Sequence, residues 1–228
     1  MMKKLFEHKE VDLGYKDLTA ETGPNGRKYL APNGVSYPSV TTVLSILSEE
    51  AIQRWRARVG EEEANKISHR ASTRGTAVHS IIEKYIDNEE NFAEGFMPNI
   101  LESFQAVQEI LDTRIGGVYA QEAALYSDHL GLAGRVDCVA EFDGKLSIVD
   151  FKTSRKTKKK EWIEGYFIQE SAYAIMWEER TGMPITQLVT IISVDNEDPQ
   201  VFIEHRDNWT SKLLETINEY KRRKIFGN

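Results

Sequence analysis

The stretch GRVDCVAEFDGKLSIVDFKTS, residues 134–154, reads as two short strands joined at Asp143-Gly144. Asp-Gly between alternating strands signals a two-residue type I′ turn, whose central residues both take positive φ. With Phe142 facing Lys145 across that turn, the register sets Ala140 against Ser147, Cys138 against Val149 and Val136 against Phe151. The same count places Asp137 directly opposite Asp150. Side chains on a strand repeat every two residues, so Lys152 shares the face of Asp150. The expectation is a hairpin with one mostly apolar face that packs and another that holds two acids and a lysine.

Directly opposed side chains on a sheet face have Cβ atoms roughly 4.5–5.5 Å apart. Two carboxylates that close repel, and one takes up a proton unless a cation sits between them. An oxygen-only site with few protein ligands suits Mg²⁺ or Mn²⁺. A lysine alongside adds a second positive group, able to orient a water or hold a phosphate oxygen. A lone strand aspartate also marks an edge or pairs with a nearby cation, here Arg135 or Lys152. The cross-strand alignment together with Asp-x-Lys is what points to a metal, and a bulge at the turn would undo it.

Outward from the hairpin, residues 40–88 read as mostly helical, with Val78, Ile81, Ile82 and Tyr85 at helical spacing. A helix is expected from Pro98 to about Thr113, with Pro98 in its first turn. Strand signals follow in VYAQEAALYS, in the hairpin, and later in ITQLVTIISV and QVFIEH. Between them WIEGYFIQESAYAIMWEERTG reads as an amphipathic helix ended by Gly182, and Asp207 to about Arg223 as another. Near the start, Pro32-Asn33-Gly34 suggests a small hairpin. The order implies an α/β protein with a mixed central β-sheet flanked by helices on both faces. No linker separates domains. One domain over residues 1–228 is expected, with a mostly helical part over 1–73, a core over 74–205 and a C-terminal helix over 206–228.

The 228 residues, 40% hydrophobic, are enough for one large core. No apolar run approaches the length of a membrane span. The start MMKKLFEHKEVDLGY lacks the apolar segment of a secretory signal and is too acidic for a mitochondrial transit peptide. A single cysteine, Cys138, excludes an intrachain disulfide and a cysteine-held iron–sulfur cluster. A cytoplasmic setting, in a bacterium or a phage-infected cell, is expected. The net charge of −7 disfavours coating of duplex DNA by the whole surface. Two local basic runs remain, Arg155, Lys156, Lys158, Lys159 and Lys160, and Lys221 to Lys224. The first begins three residues after Lys152.

Asp137 followed by Asp150-Phe151-Lys152 resembles the Asp…(Asp/Glu)-x-Lys signature of the PD-(D/E)XK nuclease superfamily. Three further motifs, in the expected order, resemble its RecB-like branch. Arg74-Gly75-Thr76-Ala77-Val78-His79 is similar to the Gly-x-x-x-His helix motif, Gly134 to Asp137 to G-x-x-D, and Gln169 to Tyr173 to Gln-x-x-x-Tyr. PSVTTVLS and Trp55 also resemble the N-terminal region of mitochondrial-genome-maintenance-type exonucleases and their phage relatives. Beyond about residue 185 no motif matches.

The resemblance implies a restriction-endonuclease-like core and a metal-dependent DNA exonuclease acting on single-stranded ends. A flap or junction endonuclease and a non-catalytic nucleic-acid-binding module are the alternatives. It further implies that His79, Asp137, Asp150 and the Phe151 carbonyl hold Mg²⁺ or Mn²⁺, and that Lys152 positions or helps deprotonate the attacking water. Glu83, four residues after His79, could orient the ring or a water. Glu122 is an acid that some relatives place near the metal. Gln169 and Tyr173, on one helix face, would support the site and the DNA strand. Arg74 would grip a strand end, and the run from Arg155 to Lys160 would track the phosphate backbone.

Overall fold

The computed structural model describes residues 4–226; residues 1–3 and 227–228, at the ends of the expected domain, lie outside the described residues. Three short strands come first: β1 (Thr19–Gly23), β2 (Gly26–Leu30) and β3 (Ser36–Pro38), antiparallel in that order. The turn around Pro32-Asn33-Gly34 joins β2 to β3 and pairs Leu30 with Ser36. Residues 4–38, expected inside a mostly helical part, are therefore irregular chain and sheet. Gly23, Gly26 and the Asn33-Gly34 turn punctuate that segment too often for a helix to form.

Helices α1 (Val40–Leu44), α2 (Glu49–Val59), α3 (Glu61–Ile86) and α4 (Pro98–Arg114) follow. Ser39 caps α1, its hydroxyl accepting from the Thr42 N–H at 3.0 Å. Helix α3 runs unbroken through the boundary expected at 73/74, because its buried stripe, Val78, Ile81, Ile82, Tyr85 and Ile86, continues a helix begun at Glu61.

The large sheet holds β4 (Ile115–Ser127), β5 (Leu132–Phe142), β6 (Lys145–Ser154), β7 (Gln187–Val194) and β8 (Gln200–His205), in sequence order across the sheet. Helix α5 (Glu164–Thr181) lies between β6 and β7, which pair parallel, whereas the other neighbours pair antiparallel. A parallel pair needs such a crossover. Helix α5 ends at Gly182, whose φ of 73° is the left-handed C-cap conformation. Helix α6 (Asp207–Phe226) closes the described chain. The sheet is covered on both faces. One layer packs Ile81, Ile82, Tyr85, Phe104 and Leu111 against Cys138, Val149, Phe151 and Ile191. The other packs Ile168, Ala172, Met176, Trp177 and Leu213 against Val139, Ile148 and Leu188. Near the amino end, Glu7 to Lys9 runs along the open edge of β4, the Lys9 N–H donating to Val118 O at 2.7 Å. That covers an edge otherwise free to pair with another chain.

The hairpin turn has the expected form: Asp143 and Gly144 have φ of 52° and 75°, and Phe142 pairs with Lys145. Pairing runs back to Cys138 against Val149 and stops there, one step short of the aspartates. The direct opposition of Asp137 and Asp150 is thus not realised as a ladder pair. In its place the Phe151 N–H donates to Asp137 Oδ2 at 3.0 Å, so a carboxylate takes the position of a backbone acceptor and parts the strands. Val136, expected on the face of Cys138, packs with Val139 in the opposite layer. The face carrying the acids is buried under helices as the other is, because α3 and α5 cover both sides of the hairpin.

Candidate active site

On the other side of β5, Gln121 pairs with Cys138 and Ala123 with Val136, which sets Glu122 across from Asp137. Glu122 on β4 thus stands across from Asp137 on β5, and Asp150 lies on the next strand, β6, beyond the point where the β5–β6 ladder ends. Glu122 has a φ of 47°, a left-handed conformation that a non-glycine residue adopts at a cost of order 1–3 kcal/mol. Helix α3 brings His79 to Glu122 and Asp137. His79, Glu122 and Asp137 each present a ligand atom, and these atoms all lie within 4.8 Å of one another.

His79 Nε2 lies 2.5 Å from the Phe151 carbonyl oxygen, and its Nδ1 lies 3.5 Å from Asp137 Oδ2. A ring nitrogen, a carbonyl oxygen and a carboxylate oxygen thus converge, a set of donor atoms that one cation can share. Of the groups named from sequence, His79, Asp137 and the Phe151 backbone meet at one place, joined by Glu122; Asp150 and Lys152 lie beside them as a buried pair, outside the set of ligand atoms within 4.8 Å of one another.

Asp150 is 2% exposed and its carboxylate pairs with the Lys152 ammonium, while Gln169 Nε2 donates to Asp150 Oδ1 at 3.2 Å. Burial pushes the Asp150 carboxyl up to about 6; Lys152 opposes that push and Asp137 adds to it. Burial would by itself lower the Lys152 ammonium, but Asp150 and Asp137 outweigh it and hold Lys152 above the ordinary lysine range. Glu122 is pushed up to about 7 by burial, then by Asp137 and Glu83. Glu83 is itself raised by burial and by Asp87 and Glu89. Arg135 offsets Glu122 and Glu83 only in part: its guanidinium donates to the Glu122 carbonyl oxygen and pairs with Asp17 at 2.7 Å. The cluster is richer in acid than in base, which is the condition a divalent cation relieves.

Tyr173 is 3% exposed and lies against Gly134, where an added Cβ would come within 2.8 Å of the ring. The glycine of G-x-x-D and the tyrosine of Gln-x-x-x-Tyr are therefore two halves of one contact, holding β5 against α5 three residues from Asp137. Arg74 points away from this cluster: its guanidinium donates to Asp195 Oδ2 at 2.9 Å and to Ser103 Oγ at 3.0 Å. These residues line a groove of about 1070 Å³ between α4 and the end of β7, with Asn99, Gln105 and Asp198. The basic run lies on the loop after β6, where Lys160 pairs with Glu204 at 2.5 Å. The second run is neutralised in part, Arg222 and Arg223 pairing with Glu219.

Two residues of the site had no weight in the sequence reading. Glu170, fully buried behind Asp150, accepts a hydrogen bond from the Thr190 hydroxyl and is raised well above the ordinary carboxylate range by burial and by Asp150. Tyr166 sets its ring 5.1 Å from Lys152 Nζ. Glu170 carries one signal in the sequence, an acid on the apolar face of an amphipathic helix; Tyr166 carries none.

The model of the PD-(D/E)XK nuclease superfamily matches residues 49–226. The chain is 34% identical over 207 residues to the human mitochondrial genome maintenance exonuclease 1, covering 82% of this chain and 59% of that protein. The Xenopus tropicalis protein of the same name is 28% identical over 232 residues, covering 91% of this chain and 63% of its own. The chain thus spans less than two thirds of the length of either relative. A crystal structure from Eubacterium rectale superposes with a TM-score of 0.44 at 19% identity, covering 67% of this chain and 65% of that one.

Proposed function

Because this chain belongs to the PD-(D/E)XK nuclease superfamily, we propose that it is a metal-dependent deoxyribonuclease that hydrolyses phosphodiester bonds from single-stranded DNA ends. The observation that carries the reading is the cluster itself, His79, Glu122 and Asp137 with ligand atoms within 4.8 Å, beside the buried Asp150–Lys152 pair. The exonuclease names of the relatives support action from ends.

The donor set fits a hard divalent cation: carboxylates, a carbonyl and one imidazole, with acids in excess. His79, Glu122, Asp137, Asp150 and the Phe151 carbonyl would hold it, and Mg²⁺ or Mn²⁺ suits these donors. Such an ion supplies polarisation of the phosphate and compensation of the negative charge that develops there. Lys152 is held as a cation by Asp150, so it orients the attacking water and a phosphate oxygen by donating hydrogen bonds. Gln169 fixes the carboxylate of Asp150 through Oδ1. The Tyr173–Gly134 contact keeps Asp137 in place. The loop cations Arg155, Lys156, Lys158 and Lys159 neutralise the incoming strand.

The test is digestion of 5′- and 3′-labelled linear DNA, and of uniformly labelled circular single strands, in Mg²⁺, Mn²⁺ or EDTA. The expected result is cleavage of linear single strands with either metal, none in EDTA, and intact circles. Asp150→Ala should abolish cleavage while keeping the circular-dichroism spectrum of the folded protein. Undiminished cleavage by that variant refutes the site, and cleavage of circles refutes the requirement for an end.

A further inference from the structure

The loop that leaves Lys152 carries an aromatic residue for which the site described so far has no use. Trp162 ends the 3₁₀ turn Lys160–Trp162 and is 66% exposed. Its mount is fixed. The Trp162 N–H donates to Lys159 O at 3.0 Å, and the next residue, Ile163, is buried with Phe167, Ile192 and Val194. Upstream, the Gln200 side chain clamps the loop, accepting from the Lys158 N–H at 2.6 Å and donating to the Lys158 carbonyl at 3.0 Å. An indole held in water on a pinned backbone forgoes the burial that usually rewards so large a side chain.

Its surroundings point to a ligand. Lys159 Nζ lies 5.4 Å from the Trp162 ring centroid. Lys160 is engaged by Glu204, but no carboxylate among the described residues pairs with Arg155, Lys156, Lys158 or Lys159. Four residues beyond Trp162, Tyr166 reaches Lys152, and Lys152 reaches Asp150. An exposed indole with one cation over its ring, beside further cations that have no carboxylate partner, on the loop between Lys152 and Tyr166, combines the two elements that bind single-stranded nucleic acid. A duplex keeps its base faces stacked on one another and offers none to an indole.

We propose that Trp162 is a stacking platform for an unpaired nucleobase of the DNA strand, whose backbone Lys158 and Lys159 contact as the strand approaches Lys152. The proposal rests on the nuclease reading above. It is tested by fluorescence anisotropy of the full chain in EDTA, where cleavage is blocked. The probes are a labelled oligothymidylate of about twelve nucleotides and an abasic oligomer of the same length. Trp162→Ala should weaken oligothymidylate binding about tenfold and leave abasic binding unchanged, and Trp162→Phe should recover most of the loss. Lys158→Ala with Lys159→Ala should weaken both probes. An equal loss on both probes for Trp162→Ala, or no loss on oligothymidylate, overturns the platform. Wild-type cleavage of DNA alongside such a result leaves the nuclease reading standing, whereas a wild type that neither binds nor cleaves DNA removes both.

Discussion

Gly134→Ala is the perturbation whose direction and scale follow most directly from the structure. A Cβ at Gly134 would lie 2.8 Å from Tyr173 Cε1, 3.0 Å from its Oη and 3.3 Å from its Cζ. Comfortable carbon–carbon contact begins at about 3.5 Å. The ring has little room to retreat, since Tyr173 is 3% exposed and packs in one layer with Ile168, Ala172, Met176 and Trp177. Overpacking of this kind costs about 1–3 kcal/mol. Taking about 2 kcal/mol, a chain of this length should melt about 4–8 °C lower. The partner variants identify the cause. Tyr173→Phe removes Oη but leaves Cε1, so adding Gly134→Ala should cost as much as it does in the wild type. Tyr173→Leu removes the outer ring, and the cost should fall, with a coupling of about 1–2 kcal/mol. Urea unfolding followed by circular dichroism on the single and double variants measures these terms. An unchanged midpoint for Gly134→Ala, or an equal loss in the Tyr173→Leu background, refutes the contact as the reason for the glycine.

Other outcomes follow from the same geometry. Glu122 and Asp150 have folded-state values of about 7 and about 6, both above the ordinary carboxylate range. Groups raised in this way support the fold while protonated and withdraw that support as pH rises from their unfolded values through the folded ones. In EDTA the melting temperature should therefore decline between about pH 4.5 and 7, and a flat or rising profile there would contradict the acid cluster. Mg²⁺ or Mn²⁺ at a hundredfold excess over its dissociation constant should restore about 2.7 kcal/mol in the wild type but not in Asp137→Asn, as read by calorimetry. Gln169→Leu removes a hydrogen bond to the Asp150 carboxylate, worth about 1.5–3 kcal/mol, so cleavage should fall about tenfold or more; wild-type rates in that variant would leave Gln169 without a positioning role.

Much of the site was legible because the hairpin is local. Asp143-Gly144 permits one tight turn, and the turn carries the register from Phe142–Lys145 to Cys138–Val149. That is enough to bring Asp137 and Asp150 near each other and to put Lys152 beside Asp150. Helix periodicity likewise marked α3, α4 and α5, and Gly182 marked the end of α5. Glu122 rests, in the sequence, on the family resemblance alone, because its place depends on the longer loop Asp128–Gly131, which closes on Ser127 and Leu132 and whose geometry local propensity does not specify. The resemblance assigns Arg74 to the strand end, yet in the fold Asp195, 121 residues away, takes its guanidinium.

By itself, the sequence determined the order of helices and strands from residue 40 onward, the turn at Asp143-Gly144, the placing of Asp150 and Lys152 on one face, and the motif order that marks the family. Each of these depends on neighbours a few residues apart, where backbone geometry leaves few choices. Only the tertiary structure decided that the ladder parts at Asp137, that Glu122 stands across from it, that His79 bridges to the Phe151 carbonyl, and that Gly134 exists to admit Tyr173. Those contacts join residues on separate elements, and their geometry is set by how the buried layers pack, which strand and helix propensities do not encode.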